Sequence, residues 1–310
     1  MAFDPLNFML KQSDINSFKT NGFLLIKKFY SEHFIKYIQN KIDSQIDIPA
    51  DKYQSGFNRL AFDLFENDTE VESLLKNNKF RTLMHELTGE TMLFTQSIGF
   101  ELKKNVSKGF PWHIGTQSFG YHKAEDFGCT IWAPLAQINT EKQRGGMAYV
   151  PKNILSGKSL YREIDPAVFR YLDEQIKNDS KPTLEEFILL RDGPLNDPAI
   201  KKLLDYFAVE DDFEVGDALI FDKNVIHRSI MLGDGDIDVR TAFVMRFVSS
   251  TSTYDSLRAH NLEIPRAYFN YAGPTKFHLN LCEKDGDLII DSHLFNNKGY
   301  RLLTIQPERS

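Results

Sequence analysis

From Phe23 the chain reads FLLIKKF, an apolar run that follows the turn pair Asn21-Gly22, and this predicts a strand entered through a tight turn. Ser13 stands where it can cap a short helix before that turn, and Ser31 where it can cap a second helix after the strand. On this second helix Phe34, Ile35, Ile38 and Ile42 share one face, the spacing of a helix laid against a core. Residues 1–90 therefore read as a mostly helical brace.

The period changes near residue 91. TMLFTQSIGFELKK, GCTIWAPLAQI, GGMAYVPK, EVGDALIFD and TAFVMRFVSS are strand-like runs punctuated by Gly, Pro and Asp, as in a β-sandwich or barrel spanning 91–250. A polar insertion of helical character, about 158–206, interrupts the series, and Thr183 with Glu186 in TLEE forms a capping box within it. An insertion of that length in a β framework predicts a lid or substrate-binding subdomain. Residues 251–310 form a C-terminal extension. With no repeat or linker composition, the chain is expected to be a single domain, 1–310, mainly β with helical additions.

Composition narrows the function class. The 25 Phe and 12 Tyr point to a large aromatic interior, and the net charge of -6 argues against a nucleic acid or an anionic membrane as partner. Cys129 and Cys282 are far apart and form no C-x-x-C pattern, so neither a disulfide framework nor a thiolate zinc site is indicated. The first residues, MAFDPLNFMLKQSD, contain no apolar run long enough for a signal peptide, and no stretch approaches a membrane span. A cytoplasmic protein acting on a small molecule is expected.

Among eight histidines, two have a context that suggests chemistry. His113 lies in FPWHIGTQSFGYH, and His227 follows GDALIFDKNVI, a buried strand ending in a polar turn, so both fall at the mouth of a β-barrel, where ligand sites commonly lie. Arg240 and Arg246 share one face of the last strand, because six residues is an even spacing. A guanidinium inside a barrel needs an anion, most naturally a carboxylate.

INSFKTNGFLLIKKF, WHIG, GGMAYVP, VGDALIFDKNVIHRS and DVRTAFVMRF, in this order and spacing, resemble the phytanoyl-CoA dioxygenase-like Fe(II)/2-oxoglutarate-dependent oxygenases. The resemblance reaches about residue 250 and leaves out the insertion. It implies a double-stranded β-helix, or jelly-roll, core, with Fe(II), 2-oxoglutarate and O2 as the reaction's partners. It implies His113 and His227 as metal ligands and Arg240, assisted by Ser229, as the grip on the distal carboxylate of 2-oxoglutarate. Gln96 and Thr130 fall where they can touch the same cosubstrate, and Phe119 and Trp132 where they line the pocket.

The family motif places an acid two residues after the first histidine, and here that position is Gly115. A glycine offers no ligand, which leaves a coordination position open to a small anion. This departure resembles the non-haem iron halogenases, whose iron carries chloride or bromide in place of the carboxylate. The second arginine, Arg246, matches the residue that helps hold the halide in halogenases acting on carrier-tethered substrates. Two alternatives stand beside this reading. An acid from elsewhere, Glu125, Asp126 or Asp222, completes the site of a hydroxylase, or metal binding has been lost and the chain is a non-catalytic binding relative. The substrate is either a free small molecule or an acyl or aminoacyl group on a separate carrier protein, and the interval of 114 residues between His113 and His227, which resembles that of the carrier-dependent halogenases, leans slightly towards a tethered acyl chain. Lys103, Lys104, Lys108, Lys123, Lys142 and Arg144 cluster in sequence near the expected mouth, as a docking patch or as a solvated loop face.

Overall fold

Gly22 ends the first helix because its φ of 83° lies in the left-handed region that favours glycine, and a Cβ there would stand 2.8 Å from the Val225 side chain. In the computed structural model, which describes residues 10–45, 48–49, 57–65, 68–269 and 277–296, this helix is α1 (Gln12–Asn21). It begins ahead of Ser13, so Ser13 is not its cap. The Lys11 backbone N–H instead donates to the Asp14 carboxylate at 2.9 Å. β1 (Phe23–Ile26) is shorter than the FLLIKKF run because the chain turns at Lys28, whose φ is 53°. Ser31 does cap α2 (Glu32–Gln45), its Oγ accepting the Phe34 N–H at 3.2 Å, and Phe34, Ile35, Ile38 and Ile42 are all buried.

Then follow β2 (Ile48–Pro49), β3 (Arg59–Phe62), α3 (Thr69–Lys76) and α4 (Asn78–Thr88), and the strand-rich segment opens with β4 (Met92–Lys103), β5 (Gly128–Pro134) and β6 (Met147–Tyr149). The insertion is helical as expected. A π-helical turn at Leu160–Ile164 leads into α5 (Asp165–Lys177), α6 (Leu184–Asn196) and α7 (Pro198–Phe207), and Thr183 and Glu186 form the capping box at the start of α6. β7 (Val209–Glu210), β8 (Ala218–Asp222), β9 (His227–Ser229) and β10 (Val239–Ser249) complete the strands. Short helices α8 (Ser256–Asn261), α9 (Glu263–Phe269), α10 (Phe277–Asn280) and α11 (His293–Asn296) follow. The first nine residues and the end of the C-terminal extension after 296 lie outside the described residues.

The strands form two antiparallel sheets, one of seven in the order β1-β8-β5-β10-β4-β3-β2 and one of three in the order β7-β6-β9. The N-terminal segment thus braces the core and also extends its larger sheet, β1 pairing with β8 and β3 with β4. Alternation along β10 separates two interiors. Phe243, Met245 and Phe247 pack with the N-terminal helices, whereas Ala242 and Val244 join Trp132, Met147, Tyr149 and Phe221 in the core between the two sheets. Among the described residues no helix is long and apolar enough to cross a membrane.

Phe243 is fully buried between the rings of Tyr30 and Phe65, at centroid distances of 5.4 and 5.8 Å. Phe243→Ala is expected to lower the free energy of unfolding by about 3–5 kcal/mol in denaturant titrations, because it leaves a cavity between the Tyr30 and Phe65 rings that the surrounding core closes only in part.

Candidate functional site

His113 and His227 meet although they are far apart in sequence. Each backbone N–H donates to the other's carbonyl at 3.0 Å, which adds the His113 segment to the edge of the small sheet beside β9. The approach depends on Gly109, whose φ is 66° and whose missing Cβ would overlap Ser229. The imidazole centroids are 4.3 Å apart. Nδ1 of His113 lies 2.7 Å from the Pro111 carbonyl, and Nδ1 of His227 lies 2.8 Å from the Val225 carbonyl. A carbonyl can only accept, so both rings carry the proton on Nδ1 and keep Nε2 as a free donor atom for a metal.

Burial holds both rings neutral. It pushes His113 down to about 4 against the favourable bond to Pro111, with the charges of Arg191 and Arg246 adding to the effect. Burial also sets His227 well below its ordinary value, with His113 and Arg246 contributing in the same direction. Neutral imidazoles are the form that binds a cation.

Both histidines line a cavity of about 580 Å³ between the two sheets, capped by α6. Its floor follows from strand register. Arg246 lies opposite Gln96 on β4 and Thr130 on β5, and Thr130 lies opposite Phe221 on β8, so one row across four strands points into the cavity. The next row, Ile98, Val244 and Trp132, is apolar apart from the indole N–H. A register shift after Arg246 makes Thr95 the extra residue on β4, and its hydroxyl donates to the Arg246 carbonyl at 3.1 Å. Ser229 also lines the cavity, its Oγ accepting the Phe110 N–H at 3.1 Å.

Arg240 is placed differently from Arg246. It is buried and does not line the cavity, with its guanidinium carbon 5.5 Å from the Trp132 ring centroid and 5.6 Å from that of Phe100, two residues that do. Its Nε donates to the carbonyl of Gly145 at 2.7 Å, which gives the glycine turn of GGMAYVP a role beyond reversing the chain. Arg240 Nη1 and Trp132 Nε1 are both buried without a hydrogen-bond partner. Desolvation lowers the Arg240 pKa to about 9, the signature of a cation without a matching anion.

Gly115 lines the cavity just after His113, with the Phe119 ring beside it. A Cβ at this position would stand 3.2 Å from Phe119 Cδ2, so the ring occupies part of the space a side chain would take. Among the described residues no group of three His, Cys, Asp or Glu is arranged to hold a metal ion. The three acids considered as substitutes are engaged elsewhere. Glu125 pairs with Lys158 and Arg162 on the surface, Asp126 accepts from the Thr253 N–H at 2.7 Å, and Asp222 pairs with Lys152 at 2.9 Å.

The sequence reading did not single out Arg191, Asp192 and His278, which also line the cavity. Arg191 and Asp192 form a buried ion pair on α6, with bonds of 3.0 and 2.6 Å. The signal was present as two adjacent charges after the apolar run FILL in a helix predicted to be a lid. His278 bonds Glu263 at 2.7 Å, a contact between two C-terminal helices that no local pattern announces. Behind the cavity Lys223 is buried over the Tyr161 ring at 4.4 Å, with its Nζ 3.4 Å from His122 Nε2.

No protein-family model and no curated protein matches the chain. Solved structures do. SnoN, a non-heme alpha-ketoglutarate-dependent epimerase from nogalamycin biosynthesis, aligns with a TM-score of 0.58 and 11% identity over 95% of this chain and 98% of its own. SnoK, a non-heme alpha-ketoglutarate-dependent carbocyclase from the same biosynthesis, aligns with a TM-score of 0.53 and 15% identity over 79% of this chain and 86% of its own. EctD from S. alaskensis, solved with bound Fe, aligns with a TM-score of 0.53 and 14% identity over 79% of both chains. At these identities the likeness is one of fold, and it establishes the jelly-roll core with added helices.

Burial pushes the Lys223 ammonium from an ordinary 10.5 down to about 7, with Arg258 adding to the effect and Asp222, Asp126 and Glu125 opposing it. Between these two values the unfolded chain holds a proton that the folded protein does not, so stability rises with pH across this window. Lys223→Met is expected to remove that rise and to increase Tm most near pH 7 and least near pH 10, as thermal melts across the range would show.

Proposed function

We propose that the protein is an Fe(II)/2-oxoglutarate-dependent oxidoreductase whose iron is held by His113 and His227. We further propose that chloride or bromide occupies the position Gly115 leaves without a carboxylate, so that the enzyme halogenates an unactivated aliphatic carbon. The observation that carries this reading is a pair of neutral imidazoles, with Nε2 free, beside a glycine and with no third ligand group among the described residues. The similar structures are an epimerase, a carbocyclase and EctD, so the halide assignment rests on Gly115 and Arg246.

The donor set fits both groups. The two imidazoles supply nitrogen ligands suited to iron. Arg240 Nη1 and Trp132 Nε1 are buried donors without acceptors, and a carboxylate such as the distal one of 2-oxoglutarate would reach Arg240 only by entering past the Trp132 and Phe100 rings that line the cavity. When bound, iron and 2-oxoglutarate supply the oxidising power that O2 alone lacks towards an aliphatic C–H bond.

The remaining roles belong to this chain's residues. The charge of Arg246 acts on both imidazoles, so it offsets the cost of bringing a halide into an enclosed site. Gln96 and Thr130 flank Arg246 in the floor and offer hydrogen bonds to the cosubstrate, with Ser229 on the opposite sheet. Phe119 beside Gly115 and Phe110 beside His113, at a centroid distance of 5.1 Å, exclude water from the reacting position. Leu184 and Ile188 of α6 close the cavity over an apolar substrate body.

Three of the six cations in the basic cluster considered for a carrier protein are paired with acids. Lys104 pairs with Asp238 at 2.6 Å, Lys123 with Asp285 at 2.8 Å and Arg144 with Glu210 at 2.7 Å. This favours a free small molecule over a carrier-tethered one.

Two measurements test the reading. In the iron-loaded protein 2-oxoglutarate is expected to raise Tm by binding only the folded state, and Arg240→Met is expected to abolish that shift. Without 2-oxoglutarate, Arg240→Met should be at least as stable as the wild type, since the change removes a buried charge without an acid partner.

Chloride is expected to perturb the visible absorption of the anaerobic Fe(II)–2-oxoglutarate complex and to appear in product by mass spectrometry. Gly115→Asp, combined with Phe119→Leu to relieve the 3.2 Å contact, should keep iron binding and lose the response to chloride. A wild-type complex indifferent to chloride, giving only hydroxylated product, would refute the halogenase reading.

A further inference from the structure

The residues flanking the two histidines converge on the helical insertion. Trp112 precedes His113 and Arg228 follows His227, and Asp205 Oδ1 on α7 meets both, accepting a hydrogen bond from Trp112 Nε1 at 3.1 Å and forming an ion pair with Arg228 Nη2 at 3.3 Å. The Arg228 guanidinium lies 5.0 Å from the centre of the Trp112 ring. The other two flanking residues, Ile114 and Ile226, are buried in the same apolar cluster as Trp112 and Leu204, the residue before Asp205. Two of the four neighbours of the histidines are thus held directly by Asp205 of α7, and the other two share the apolar cluster that Leu204 joins.

Resting on the functional reading above, we propose that Asp205 is a positioning residue, a clip through which the insertion sets how the two imidazoles are presented to the metal. Leu204 supplies the non-directional part of the docking and Asp205 the directional part. The bond to Trp112 is the more specific half, since that indole is buried whereas the ion pair with Arg228 is partly exposed and screened. Backbone bonds fix His113 against His227, but they leave free the tilt of the paired segments relative to the cavity floor. A carboxylate that bonds to both segments removes that freedom. A lid that lifted α7 would thus change the metal site without touching a ligand.

The test uses the full chain and Asp205→Ala, Asp205→Asn and Trp112→Phe. Three quantities are read: imidazole NMR signals of His113 and His227 in the metal-free protein, Co(II) affinity by titration, and the rate of tryptic cleavage within 158–206. Asp205→Ala is expected to move both imidazole signals, to weaken Co(II) binding by roughly 10- to 100-fold, as for residues that orient metal ligands, and to speed cleavage. Asp205→Asn keeps an acceptor for Trp112 and is expected to fall between Asp205→Ala and the wild type. Trp112→Phe keeps the apolar packing, loses the N–H and should reproduce the weakening, and it decides the matter if Asp205→Ala does not fold. Wild-type imidazole signals and Co(II) affinity in these variants would overturn the proposal. If the wild-type protein binds neither Co(II) nor Fe(II), the functional reading fails, and the imidazole signals and cleavage rates still decide whether Asp205 is the clip.

Discussion

Two reciprocal backbone hydrogen bonds between His113 and His227 are the constraint on which the site depends. They join a loop after β4 to the edge strand β9, and in doing so set two imidazoles side by side at the rim of a cavity. Because each Nδ1–H is tied to a nearby main-chain carbonyl, the rotation of each ring within its own segment follows from the backbone, and the proposed Asp205 clip acts on the segments that carry the rings. Burial then keeps them neutral. The side-by-side placement of the two rings comes from this short stretch of sheet.

The large sheet supplies the other half. Its alternation sends aromatic residues of β10 to the N-terminal helices and leaves the opposite face for the cavity, where a polar row of Gln96, Arg246 and Thr130 interrupts apolar lining. Arg246 stands where its charge acts on both histidines, and Arg240 lies deeper, with one nitrogen bonded to Gly145 and another unsatisfied. An interior that keeps a buried, unsatisfied guanidinium carries a stability cost that the proposed carboxylate would relieve. That is the physical link between the packing of this protein and the chemistry proposed for it.

The insertion is more than a cover. α6 brings the buried Arg191–Asp192 pair to the cavity, while α7 reaches the residues next to each histidine. A single helical excursion between β6 and β7 therefore touches both the cavity and the residues beside the two histidines. The similar structures share the jelly-roll fold, and the function proposed for this chain rests on Gly115 and on the residues around its cavity.

The sequence by itself determined the frame. Period and turn residues marked α2, its Ser31 cap, the Gly22 turn, the capping box of α6 and the strand series, because these are set by neighbours a few positions apart. Even spacing placed Arg240 and Arg246 on one face, and a missing side chain at position 115 is visible without any structure. Ser13 misled because three-residue pairing of Lys11 with Asp14 started the helix earlier. Only the tertiary structure decided the rest: that Arg240 lies behind Trp132 rather than in the cavity wall, that Glu125, Asp126 and Asp222 are bound elsewhere, and that Asp205 reaches Trp112 and Arg228. Each of these is a contact between residues distant in sequence, fixed by how sheets and helices pack, and local patterns contain no information about which partner a side chain will meet.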